Sequence, residues 1–445
     1  MTHAPARSAA QSPDSPADRL DRLDPGSHSS MFSVESRRSL ALRPGREAEQ
    51  PKLKEKMTKP RTTTRARARD LGISFSGAPG EFNSITDVPG VLVGYQTLIS
   101  GDGELIEGTG PVRTGVTAIL PRGRTGVGQS VAAGTYSFNG NGEMTGTAWI
   151  EESGTFNTPI LITNTHSVGA CHEGSIAWMI ANKPEAARAW MLPVVAETWD
   201  SYLNDINGLH VRPDHAVAAI DSAGSGPLDE GPVGGGTGMT CYGYTGGSGT
   251  SSRSVRVGGE EFTVGVFIQA NFGERRELVV AGVPVGERLL EDNPIEDPDW
   301  FATAGSGSAI IIVATDAPLL PSQCKALARR VPLGLGRTGT TGSHFSGDLV
   351  LAFSIANQGA LNSRMTDTCS PTARGIETLN SVAWGLIDRF YEATVQATEE
   401  AVINTLVAGR TTFGRDSHRM PGFPVNRLPE LLGDRLETRT AVPAT

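Results

Sequence analysis

The sequence predicts an α+β layered sandwich. Short runs rich in Val, Ile or Leu, each bounded by Gly, Asn, Asp or Pro, outnumber the helix-like stretches. They do not alternate strictly with helices, as a doubly wound sheet or a TIM barrel would require. No internal repeat or linker interrupts residues 70–430, which points to one domain.

In chain order, Ile85–Tyr95 (ITDVPGVLVGY) reads as an Asp-Val-Pro-Gly turn leading into an alternating strand. Thr114–Pro121, Pro159–Thr163, Phe262–Gln269, Ala309–Ala314 and Asp348–Phe353 are further strands. Ser175–Ala181 is helical. So is Pro321–Arg330, with Pro in its first turn and basic residues in its last. In Asn380–Ala408 apolar residues recur at helical spacing, and two helices are expected with a break around Tyr391.

Composition narrows the function. The 445 residues carry a net charge of -9, which disfavours a nucleic-acid partner. No apolar run is long enough to span a bilayer, so no membrane partner is expected. The four cysteines, Cys171, Cys241, Cys324 and Cys369, are widely spaced and form no CxxC pair. This argues against a zinc finger or a disulfide framework and for a cytoplasmic protein. His166 and His172 have no third ligand in view and read as ordinary polar residues, so neither metal nor cofactor is expected.

Charge is unevenly spread. Residues 1–69 hold 15 Lys and Arg against 8 Asp and Glu, whereas the remainder holds 24 against 40. The segment 1–66 is rich in Pro, Ser and Arg without apolar periodicity and is expected to be a disordered basic tail. It contains no apolar signal core, and Met31 and Met57 offer alternative translation starts. The catalytic domain is expected over 67–430, with 431–445 a flexible tail.

The glycine runs Val233–Met239 and Gly246–Ser252 match neither GxGxxG nor GxxxxGK[ST] and read as tight loops where backbone passes close to backbone. A GxSxG nucleophile elbow is absent. The informative segment is Ala304–Pro318 (AGSGSAIIIVATDAP), a small Gly-Ser run that enters an apolar strand directly. Read plainly, it is a loop before a buried strand. Its sharper reading is a self-cleavage site. The Ser308 hydroxyl attacks the carbonyl of Gly307, a residue whose backbone tolerates strain. Hydrolysis of the resulting ester leaves Ser308 as a new terminus, whose α-amine, of pKa roughly 7.7–8.0, activates its own hydroxyl. Two Gly-Ser bonds are available, so Ser306 is a neighbouring candidate.

At these residues the chain resembles the DmpA/BapA-type serine aminopeptidases, the self-processing peptidases also called P1 or S58. The resemblance runs through RARDLGI (67–73), NSITDVPGVLVG (83–94), GPVRTGVTAILPR (110–122), NGNGEMTG (139–146) and LITNTHSVGA (161–170). It continues through VAETWD (195–200), YLNDINGLHV (202–211), GGGTGMTCYGYTGGSGTSSR (234–253), FTVGVFIQANFG (262–273), AIIIVATDAPLLP (309–321) and SGDLVLAFSIAN (346–357). It implies a four-layer αββα sandwich, an α- and a β-chain cut from one precursor, and a homo-oligomer of the processed pairs. It also implies a peptide or amino-acid amide substrate whose N-terminal residue is removed through an acyl-enzyme.

Residue by residue, the resemblance makes Ser308 the nucleophile and Gly307–Ser308 the cleaved bond. Ser346 and Asp348 become a hydroxyl and the carboxylate that orients it. Asn271 becomes the oxyanion-stabilising amide, though read alone it is a turn-forming Asn after a strand. Glu197 becomes the acid for the substrate's amine. Two departures stand out: Asp348 is Glu in some relatives, and Trp199 occupies a position where the family has Tyr, so it is a substrate contact or simply packing. The alternatives on this fold are an acyltransferase of ornithine-acetyltransferase type, disfavoured by Ser at the junction, and a non-catalytic member.

Overall fold

The computed structural model describes residues 66–296, 307–362 and 375–437, all of which belong to one compact unit. The expected 1–66 tail, Ser306 and Cys369 lie outside the described residues, apart from Ala66 itself. The larger strands are β1 (Leu92–Ser100), β2 (Val112–Leu120), β3 (Val131–Ser137), β4 (Thr155–Phe156), β5 (Ile160–Asn164), β6 (Val194–Thr198), β7 (Gly247–Val257), β8 (Glu260–Asn271), β9 (Gly307–Thr315) and β10 (Ser346–Ser354). The principal helices are α1 (Thr147–Ser153), α2 (Val168–Asn182), α3 (Pro213–Ser222), α4 (Pro321–Ala328), α5 (Val331–Arg337), α6 (Asp388–Ala408) and α7 (Leu428–Leu432).

Two mixed sheets stack face to face. One has the order β1-β2-β5-β6, the other β4-β3-β10-β9-β8-β7; β5 with β6 and β9 with β10 are the parallel pairs. Side chains alternate across each strand, so a strand covered on both faces feeds two cores. From β9, Ile310 and Ile312 enter the core between the sheets, with Phe267, Leu351, Ile119 and Ile162. Ala309, Ile311 and Val313 enter the core beneath α4, α5 and α6, with Leu327, Leu335, Phe390 and Ala401. A third core lies beneath α2 and α3, where Val116, Leu161 and Val195 meet Trp178, Met179 and Ile220. The layers are helix, sheet, sheet, helix, the four-layer sandwich that the resemblance implies.

Three expectations need correction. The helix ending at Ala408 does not break around Tyr391. Residues 386–408 contain neither Gly nor Pro, and α6 runs unbroken from Asp388 after a 3-10 turn at Trp384–Leu386. Ile387 alone separates that turn from the helix, while Tyr391 remains inside the helix with the Arg330 guanidinium 4.0 Å from its ring centroid. The folded unit does not stop at 430 either: α7 buries Leu428, Leu431 and Leu432 at helical spacing, and Leu436 bridges to Ile73. Finally, Gly246–Ser252 is not a loop but largely the interior of β7. A Cβ on Gly249 would lie 2.2 Å from the Ala401 carbonyl oxygen, so the small residues are there to let α6 settle directly on the strand. The other run, at Gly234–Gly236, is a buried tight turn as expected.

Candidate active site

The end of β8 and the start of β9 form the centre of the site. Their antiparallel register sets Asn271 opposite Ser308, and directly opposed residues project on one face, here the face between the sheets. The Asn271 Nδ2 lies 3.4 Å from the Ser308 Oγ and donates to the Trp199 carbonyl at 2.9 Å. The Trp199 backbone N–H points at the same Oγ from 3.3 Å. The amide is oriented from behind, because the Thr240 N–H donates to Asn271 Oδ1 at 2.8 Å and leaves the NH2 end facing the hydroxyl. Two N–H donors thus converge on Ser308. Ser308 is only 2% exposed in the uncut chain.

Gly307 is required by space. A Cβ there would stand 2.4 Å from the Asn271 carbonyl oxygen, and its φ lies outside the left-handed region, so the backbone strain expected from sequence is not what selects glycine.

Ser346 and Asp348 lie on the neighbouring parallel strand, in register with Gly307 and Ala309. Alternation turns them to the opposite face from the Ser308 hydroxyl, the side of Val350 and Ala352. They therefore flank the main chain around residue 308 rather than its side chain. Ser346 Oγ donates to Asp348 Oδ1 at 2.6 Å. Burial pushes the Asp348 carboxyl above its ordinary range, against the hydrogen bonds from Ser346 and Asn139 that favour its charge.

Glu197, at the end of β6, is buried and accepts from the Glu143 N–H at 2.8 Å and from the Thr165 hydroxyl. Burial raises its pKa, against the hydrogen bonds from the Thr165 hydroxyl and the Glu143 N–H that favour its charge. Trp199 follows two positions later, half-buried. Its backbone N–H, rather than the side chain singled out from sequence, approaches the Ser308 hydroxyl.

Sequence reading named Ser308, Asn271, Ser346, Asp348 and Glu197 but not the groups that contact them. It missed the Trp199 N–H, Thr240 and Asn139, whose Nδ2 donates to Asp348 Oδ2 at 2.9 Å. Asn139 stands in an Asn-Gly-Asn-Gly run whose local signal is only a turn. Among the described residues no group of three His, Cys, Asp or Glu side chains is placed to hold a metal ion.

The family model of peptidase family S58 matches residues 83–420. The chain belongs to peptidase family S58. Among curated relatives, the beta-peptidyl aminopeptidase BapA of Sphingosinicella microcystinivorans is 49% identical over 371 residues, 82% of this chain and 89% of the relative. The BapA of Sphingosinicella xenopeptidilytica is 44% identical over 84% of this chain and 92% of its own length. Among solved structures, the L-aminopeptidase D-Ala-esterase/amidase of Ochrobactrum anthropi, described as a variant of the Ntn hydrolase fold, superposes with a TM-score of 0.76 at 42% identity, covering 83% of this chain and 99% of its own. The S58 chain is accordingly a hydrolase, an aminopeptidase of the N-terminal-nucleophile class, and the acyltransferase alternative is not favoured.

Proposed function

We propose that this S58 aminopeptidase makes its own nucleophile by cutting Gly307–Ser308, and that the mature enzyme removes N-terminal β-amino acid residues from peptides and amides. The observation that carries the reading is the Ser308 hydroxyl held between the Trp199 N–H and the Asn271 NH2. Donors already aimed at that oxygen need no reorganisation when negative charge develops beside it.

In the first step the Ser308 Oγ attacks the Gly307 carbonyl, the C–N bond breaks, and the nitrogen leaves as the Ser308 amine. Water then hydrolyses the ester to leave Gly307 as a carboxylate terminus. Because Ser308 is 2% exposed in the uncut chain, its hydroxyl serves a second substrate only after the cut. In turnover the free α-amine takes the hydroxyl proton, and the Ser346–Asp348 pair flanks that amine to orient it. The acyl group passes to Ser308 and then to water. Glu197 receives the substrate's ammonium, whose charge offsets the burial that raises the acid's pKa.

The β preference is supported by the two relatives at 49% and 44% identity, both beta-peptidyl aminopeptidases by name. Intact-mass spectrometry of the purified protein tests the cut, with a fragment of 138 residues beginning at Ser308 expected and an unbroken inert chain for Ser308→Ala. An unbroken wild type whose activity survives Ser308→Ala overturns the mechanism. A higher kcat/KM for the L-alanyl than for the β-alanyl p-nitroanilide overturns the substrate assignment alone.

A further inference from the structure

The loop of residues 139–143 joins two parts of the site that the β-strands hold apart. At one end Asn139 meets Asp348 twice: Nδ2 donates to Oδ2 at 2.9 Å, and Oδ1 accepts from the Asp348 backbone N–H. In the middle the loop crosses Gly347 so closely that a Cβ there would stand 2.3 Å from the Asn141 carbonyl oxygen. Asn141 also donates from Nδ2 to the Phe345 carbonyl at 2.9 Å. At the other end the Glu143 N–H donates to Glu197. Ser346 uses one oxygen of Asp348 and Asn139 uses the other.

We infer that Asn139 is a positioning residue for the reaction: its side-chain NH2 holds the Asp348 carboxylate in the charged, oriented form that Ser346 requires. The inference rests on the role of Ser346 and Asp348 proposed above. A carboxylate buried against β9 needs donors on both oxygens to stay ionised, and Asn139 is the side-chain donor on the second. The Oδ1 bond to the Asp348 N–H is a backbone tether that any acceptor of the same shape reproduces. The two functions of the one side chain are therefore separable by substitution.

Asn139→Ala removes both bonds to Asp348 and the 3.2 Å bond from Nδ2 to the Ser343 carbonyl, whereas Asn139→Asp loses the Nδ2 bonds, keeps the acceptor and sets a second carboxyl against the first. If the NH2 matters, Asn139→Ala lowers kcat on the order of 10-fold, the size of a hydrogen bond to a charged group. KM stays near the wild-type value, because the Glu143 main chain still holds Glu197. Asn139→Asp is slower than Asn139→Ala at neutral pH and recovers as the pH is lowered, because two adjoining carboxyls then share a proton. Where a variant fails to mature, the same order is read from the rate of chain cleavage.

Three results overturn the inference: Asn139→Asp as fast as wild type at neutral pH, a KM that climbs in step with the fall in kcat, or equal acid sensitivity in all three proteins. Asp348→Ala separates this failure from that of the underlying reading. If Asp348→Ala is fully processed and active, the reading falls and the inference with it. If Asp348→Ala is inert while both Asn139 variants behave as wild type, the inference falls alone.

Discussion

Asn271 and Ser308 face one another across the β8–β9 ladder, with the amide Nδ2 3.4 Å from the hydroxyl oxygen. The pairing is one of register. A slip of one residue would turn one of the two side chains to the other face of the sheet and separate them. The hydrophobic alternation of β9, with Ile310 and Ile312 between the sheets and Ile311 beneath the helices, therefore fixes the chemistry as well as the core.

From this arrangement, Asn271→Ala removes one of two N–H donors beside the Ser308 hydroxyl, where the carbonyl oxygen under attack gains its charge, and leaves the Trp199 N–H in place. Steady-state kinetics on the processed variant should show kcat reduced by about 100- to 1,000-fold, about 3–4 kcal/mol of transition-state stabilisation, with KM little changed. A loss below threefold would show that the amide serves only to fix the Trp199 carbonyl.

A second consequence concerns Asp200, next to Trp199 and fully buried. Asn204 Nδ2 donates to its Oδ1 at 3.0 Å, its Oδ2 is buried without a hydrogen-bond partner, and burial raises its pKa to about 7. The folded chain thus keeps a proton that the unfolded chain releases near the ordinary pKa of 3.8. The stabilisation from that proton is complete below pH 4 and is lost as the pH climbs to about 7. Urea unfolding of the unprocessed Ser308→Ala chain, with and without Asp200→Asn, checks this. The Asn variant should gain on its parent between pH 4 and 7, by an amount on the order of a few kcal/mol. Parallel stability curves would contradict it.

The N-terminal stretch of the described chain is held by a buried ionic cluster. Glu400 of α6 meets Arg253 at 2.7 Å and Arg69 at 2.8 Å, with both Arg253 and Glu400 excluded from water. Glu400→Ala leaves the Arg253 guanidinium buried with only neutral acceptors, the carbonyls of Ser76, Ser252 and Gln396. The expected loss is on the order of 3–5 kcal/mol in urea unfolding of the Ser308→Ala chain. A shift below 1 kcal/mol would mean that water reaches the guanidinium.

Much of the fold was legible in the sequence wherever one residue type dominates a short run. The continuous apolar segments became β5, β8, β9 and β10, because a strand buried on both faces has no polar side to alternate with. Strand β7 escaped because it is built of Gly, Ser and Thr, chosen to admit α6 rather than to fill space. The helix break was misplaced because apolar spacing says where a helix faces the core but not where its hydrogen bonds stop.

The site divides in the same way. Read from the residues alone, the sequence offered one reactive group, a Ser entering an apolar strand, and the resemblance added Ser346, Asp348, Asn271 and Glu197. Only the tertiary structure decided which face each group occupies and what supports it. Ser308 and Asn271 lie between the sheets, Ser346 and Asp348 lie toward the helices, and Trp199, Thr240 and Asn139 reach them from distant parts of the chain. The reason is physical: a residue type fixes which bonds a side chain can make, but the partner is set by strand register and loop closure, which bring together residues far apart along the chain.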